Sequence, residues 1–220
     1  SVFVQLDLKM IFFKKFAAHL INIFKVFFLM GKGVEFSRPL SVHVKGKLIV
    51  GNNIRIGSNV SFSGLVEVED DVKIEDNCLL ENCKLSNNSL IKAGSLIEDS
   101  SIGRNSFIGP FARVRASSRI EEECQIGNFV EIKNSLIGDR ARINHMAFIG
   151  DALLEEDVTI GAGVITCNHD GEKVNKTFIR KGAYIGSNSN LIAPLDIGEN
   201  STIGSGSSIT DDVRDNKLVI

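Results

Sequence analysis

From Val50 an apolar residue returns every six positions: Ile56, Phe62, Val68, Ile74 and Leu80. A five-residue step restarts the series at Leu85, Ile91 and Ile97, and another restarts it at Ile102, from where it runs to Ile132. It continues through Ile137, Ile143, Ile149, Leu154 and Ile160, then resumes after a long interruption from Ile179 to Ile209. A helix repeats its faces every 3.6 residues and a two-faced strand every 2, so a sustained period of six fits neither alone. It predicts short strands joined by tight corners, three to a triangular coil of roughly 18 residues, with like side chains stacked in columns. Glycine often follows the apolar residue, as at Gly127, Gly161, Gly186 and Gly204, and a small or β-branched residue often sits four places on, as at Val60, Ala147 and Ser189. The length allows about nine such coils.

The first 41 residues break this pattern. Eight of the 14 phenylalanines lie there, and the run from Met10 to Met30 is mostly apolar. Lys15, His19, Asn22 and Lys25 share one helical stripe inside that run, which predicts an amphipathic helix rather than a membrane span. Lysines within the run also argue against a cleaved signal peptide. The chain therefore divides into a linker helix and connector, 1–41, and a solenoid domain, 42–220. The apolar face of the helix should pack on another domain or subunit, with a membrane surface as the remaining alternative.

A net charge of −2 gives no general reason to expect nucleic acid or an anionic membrane as partner. Cys78, Cys83, Cys124 and Cys167 lack zinc-finger spacing and read as thiols in a reducing, cytoplasmic compartment. The four histidines, His19, His43, His145 and His169, lack the tight spacing of a three-histidine metal site, so no metal is expected.

Chemistry concentrates in a few stretches. In GPFARVR (109–115) and GNFVEIK (127–133), Arg115 and Lys133 stand one coil apart and should stack, either around an anion or with Arg115 paired to Glu131 or Glu121. His145 falls two residues past interior Ile143, hence at an outward corner. Gly161, Ala162 and Gly163 leave backbone N–H groups unshielded, and the segment from Asn168 to Phe178 breaks the hexad and must protrude.

These motifs, with INHMAFIGD, IGAGVITCNHDG and IGSNSNLIAP, resemble the acetyltransferase domain of the bacterial bifunctional N-acetylglucosamine-1-phosphate uridyltransferase/glucosamine-1-phosphate N-acetyltransferases, within the hexapeptide-repeat acyltransferases. The likeness covers about Val44 to Ile220. It implies an all-β, left-handed parallel β-helix, against the general right-handed crossover rule, and a homotrimer. It also implies acetyl transfer from acetyl-CoA to the amine of glucosamine 1-phosphate, on the way to UDP-N-acetylglucosamine for peptidoglycan and lipopolysaccharide. His145 is then the general base, Arg115 and Lys133 hold the sugar phosphate, and Ala162, Asn168, His169, Ser187 and Ser205 line the acetyl-CoA cleft. Phe148 and Thr159 stand where the family often has Tyr and Asn against the sugar, and Val174 where it often has Lys. The family's uridyltransferase domain, with its Mg²⁺ site, has no counterpart in this sequence and is expected as a missing N-terminal partner. The alternative reading is a non-catalytic assembly or regulatory solenoid, or another hexapeptide acyltransferase.

Overall fold

The computed structural model describes the backbone of residues 2–220 and the side chains from residue 13 onward. A helix, α1 (Val2–Gly31), precedes a left-handed parallel β-helix of about ten turns. The first parallel pair joins Glu35–Phe36 to Arg55–Ile56, ahead of the point where the apolar hexads begin, which adds a turn to the nine they suggest.

Three faces make the prism. The first is an eleven-stranded sheet that includes Phe107–Ile108, Gln125–Asn128, Arg142–His145 and Thr159–Ile160. The second carries Arg113–Arg115, Glu131–Lys133, Phe148–Gly150 and Ile165–Cys167, and the third Leu136–Ile137, Ala152–Leu154 and Thr177–Ile179. Every hexad residue after Val50 is buried, as are the small residues at the corners, so the core is a set of columns running the length of the coil.

The polar residues of the early coils do more than face water. Many corner residues take left-handed backbone, among them Asn59 (φ 57°), Asn88 (φ 58°) and Asn105 (φ 57°), a conformation Asn and Asp tolerate better than most side chains. Their amides bond the same corner of the next coil: Asn53 Nδ2 donates to Asp71 Oδ1 and Asn88 Nδ2 to Asn105 Oδ1, both at 2.7 Å.

The helix sits the other way round from a simple amphipathic expectation. Asn22 and Lys25 of its polar stripe face the solenoid, while Lys15 and His19 are exposed. Asn22 Nδ2 donates to Val42 O at 2.8 Å and Asn22 Oδ1 accepts from Val44 N at 2.7 Å, while Lys25 Nζ donates to Val44 O and Gly46 O. The strand His43–Val50 pairs with a neighbour on one side only, so its other edge presents bare backbone groups that Asn22 and Lys25 satisfy. Among the described residues of α1, Val26 and Leu29 are the buried apolar ones, and Phe13, Phe16, Phe24, Phe27 and Phe28 point to solvent. Among the described residues no helix is long and apolar enough to cross a membrane. The four cysteines are free thiols. Burial pushes Cys83 and Cys124 each up to about 12, leaving them inert at neutral pH.

Candidate functional site

The corner between the first and second faces carries the clearest chemical arrangement. His145 ends the strand Arg142–His145 in register with Asn128, and its Nδ1 lies 2.6 Å from Asn128 Oδ1. With that oxygen as acceptor, Nδ1 carries the ring proton and Nε2 keeps its lone pair. A cleft of about 450 Å³ opens beside the ring, bordered by Lys92, Pro110, Gln125, Asn128 and Asn144. A depression of similar size near Arg55 and Lys73 contains no histidine.

His145 stands in a column with small residues. Gly163 N donates to His145 O, Asn188 N to Ala162 O and Gly206 N to Ser187 O, so successive coils place Asn128, His145, Ala162, Ser187 and Ser205 one above another. The glycine preceding each of the last three packs on the coil above; a Cβ on Gly161 would lie 2.5 Å from Ser187 N. The unshielded stretch read from sequence narrows here. Gly161 N donates to Ile185 O and Gly163 N to His145 O, which leaves Ala162 N–H as the one donor of the three without an acceptor among the described residues.

The predicted cations lie on the second face, at its far corner. Arg115 and Lys133 are in register, as expected. Arg115 Nε donates to Glu131 Oε1 at 2.6 Å, so the pairing alternative holds, yet both terminal guanidinium nitrogens stay free of side-chain partners among the described residues. Lys133 Nζ reaches Asp151 Oδ2 at 3.4 Å. These contacts orient the two cations without saturating their donors. Phe148 begins the same face three residues after His145 and lays its ring over Gly150, where any side chain would displace it.

Asp151 was not singled out from sequence. It is buried, takes left-handed backbone (φ 51°), and accepts from Asn134 Nδ2, Asn168 Nδ2 and Lys133 Nζ. Burial alone would push its carboxyl up, but the amides of Asn134 and Asn168 and the Lys133 ammonium outweigh this and hold it below the usual carboxylate range. It thereby joins a candidate anion-binding cation to the root of the inserted loop. The sequence signals were its place at the end of INHMAFIGD and its position one coil after Asn134.

The insertion spans Asn168 to Lys176, since Thr177–Ile179 is already a strand of the third face and Phe178 packs in it under Arg180. Asp170 organises the loop by accepting from Glu172 N, Lys173 N and Asn175 Nδ2, which holds its carboxyl well below the usual range. His169 Nδ1 accepts from Gly171 N. Cys167 has no base beside it among the described residues; its sulfur hydrogen bond is to Ile165 O at 3.9 Å, and burial pushes its thiol up, so it is not placed as a nucleophile.

One chain does not bring all the predicted residues together. His145, Ala162, Ser187 and Ser205 share the first corner, whereas Asn168 and His169 leave the second corner, across a face on the order of 15 Å wide by strand rise. Thr159 lies on the first face between Arg142 and Tyr184, away from Phe148.

A family model described as the GMPPB C-terminal domain matches residues 44–119. Proteins named bifunctional protein GlmU are similar over about half of this chain: that of Thermotoga petrophila is 56% identical over 104 residues, 47% of this chain and 23% of the relative. That of Ruthia magnifica is 51% identical over 109 residues, 50% of this chain and 24% of the relative. The match thus spans about a quarter of those relatives' length. The solved UDP-N-acetylglucosamine acyltransferase from Campylobacter jejuni aligns with a TM-score of 0.54 at 16% identity, over 81% of this chain and 68% of that one. The chain is therefore similar in sequence to the C-terminal region of GlmU proteins and shares its coiled architecture with a left-handed β-helix acyltransferase.

Proposed function

We propose that this chain transfers the acetyl group of acetyl-CoA to the 2-amino group of glucosamine 1-phosphate, giving N-acetylglucosamine 1-phosphate and coenzyme A for UDP-N-acetylglucosamine synthesis in the cytoplasm. The observation that carries the reading is the corner column: an oriented imidazole, an uncommitted backbone N–H one coil on at Ala162, and two serines beyond it. An alkylammonium must lose a proton before it attacks a thioester, and Nε2 of His145 is placed to accept it. The amine nitrogen then bonds the thioester carbon, the oxyanion is met by Ala162 N–H, and the C–S bond breaks to release the thiolate, which takes up a proton. Arg115 and Lys133 receive the phosphate, Phe148 packs on the sugar, and Ser187 and Ser205 border the pantetheine arm.

Arg115 and Lys133, at the second corner with Asn168, enter the site together with Thr159, Asn168 and His169 from a neighbouring copy in this reading. The separation of the two corners supports it, as does the apolar strip of Phe111, Phe129 and Met146 exposed along the first corner, with the two phenylalanine rings stacked 5.6 Å apart. A closed three-fold arrangement satisfies every such contact at once. The test is release of coenzyme A from acetyl-CoA with and without glucosamine 1-phosphate. Release that depends on the sugar phosphate is expected, and none above a His145→Ala control sinks the reading.

A further inference from the structure

The most anomalous surface of the molecule is the outer side of α1. Phe13, Phe16, Leu20, Phe24, Phe27 and Phe28 all lie exposed on one side of the helix, with Phe24 75% and Phe13 70% accessible. At roughly 200 Å² per aromatic ring, this apolar area is on the order of 700 Å², beyond the few hundred Å² that single domains ordinarily show. Of the polar stripe, Asn22 and Lys25 are turned inward and bonded to the solenoid edge, while Lys15 and His19 stay exposed.

The charge around this patch has one sign. Residues 1–47 hold eight lysines and arginines against two acids, net +6, which leaves seventeen against twenty-five, net −8, for the remainder. No acid occurs from residue 13 to residue 33, while Lys14, Lys15 and Lys32 are exposed, and Lys32 Nζ sits 4.8 Å above the Phe28 ring. A second copy docking through this face would bring the same cations together. A surface that is apolar within and anionic outside meets both features, with aromatic rings at the acyl boundary and ammonium groups among the headgroups.

We propose that the outer face of α1 is an interfacial membrane anchor that docks the solenoid, by its N-terminal end, on an anionic lipid bilayer without spanning it. This goes beyond acetyl transfer and does not depend on it. The experiment is flotation of the full chain with phosphatidylcholine vesicles, with and without phosphatidylglycerol, at low and high salt. Binding should require phosphatidylglycerol and weaken with salt. Reversing Lys14, Lys15 and Lys32 to Glu should lower the partition coefficient by roughly fivefold or more per residue. Replacing Phe13, Phe24 and Phe27 by Ser should abolish flotation; since all three are exposed, the variant should keep the wild-type thermal melt. The proposal is overturned if wild type fails to float at low salt or if the serine variant floats equally well. It is equally overturned if the serine substitutions only disperse a wild-type self-association that light scattering detects in the absence of lipid.

Discussion

In the proposed reaction the 2.6 Å contact between His145 Nδ1 and Asn128 Oδ1 leaves Nε2 as the nitrogen that faces the substrate. His145→Ala should lower turnover by ~10²–10⁴-fold, the range for loss of a positioned general base. The ring is exposed at a corner while Ile143 and Ile149 carry the core, so thermal melts should not move. Raising the pH should partly restore the variant, since more of the substrate amine is then neutral. Near-normal turnover at neutral pH removes His145 from the mechanism. Arg115→Ala and Lys133→Ala should each raise KM for the sugar phosphate roughly 10- to 150-fold, the equivalent of ~1.5–3 kcal/mol for a charge-assisted bond, and leave KM for acetyl-CoA unchanged. Equal effects on both substrates would mean that the Glu131 and Asp151 pairings are the whole role of these cations. The corner position of His145 was legible from its offset after Ile143, and the stacking of Arg115 on Lys133 from their 18-residue spacing. The Asn128 contact was not. It depends on a register of 17 residues set by one short step of the hexad, which brings Asn128 of GNFVEIK, a motif read only for Lys133, beside the imidazole.

Coils pack so closely that glycine becomes a positional requirement. A Cβ at Gly161 would meet the backbone of Gly186 and Ser187, which has no rotamer to escape by. Gly161→Ala should therefore cost ~1–3 kcal/mol in denaturant melts, as overpacking does, and lower turnover more than binding because the Ala162 N–H is displaced. An unchanged melt would show that the corner yields. The inserted loop should respond to acid. The Asp151 carboxyl is depressed in the folded chain, so its stabilisation is fully present above the ordinary unfolded value near ~3.9 and is lost as pH falls through the folded value. Trypsin cleavage after Lys173 and Lys176 should be slow at neutral pH and become fast in Asp151→Ala; equal rates would detach Asp151 from loop order. At this scale the hexads gave the strands and the interior columns, since period and burial are the same fact. They were silent on the first coil, whose two-residue strand has no repeat to show, and on the side α1 turns inward, which is decided by an open sheet edge rather than by helical amphipathicity.

For the molecule as a whole, the proposed site is incomplete in one chain, and this separates a shared site from a self-contained one. His145 with the Ala162, Ser187 and Ser205 column stands at one corner, while Asn168 and His169 leave another. In a closed trimer each site then takes its base from one copy and its loop from the next. A His145→Ala chain keeps a good loop, and a chain with Asn168→Ala and His169→Ala keeps a good base. Co-expressed in equal amounts, the two should form mixed trimers in which about a quarter of the sites join a wild-type base to a wild-type loop. Each variant alone should be nearly inactive, so recovered activity would come from those hybrid sites and should scale with the product of the two fractions. Tagging one variant and measuring activity in the co-purified fraction distinguishes hybrids from a mixture of homotrimers. No recovery in material that demonstrably holds both chains would place base and loop in a single copy. The loop would then have to fold back across the second face, against the anchoring that Asp151 gives its first residue.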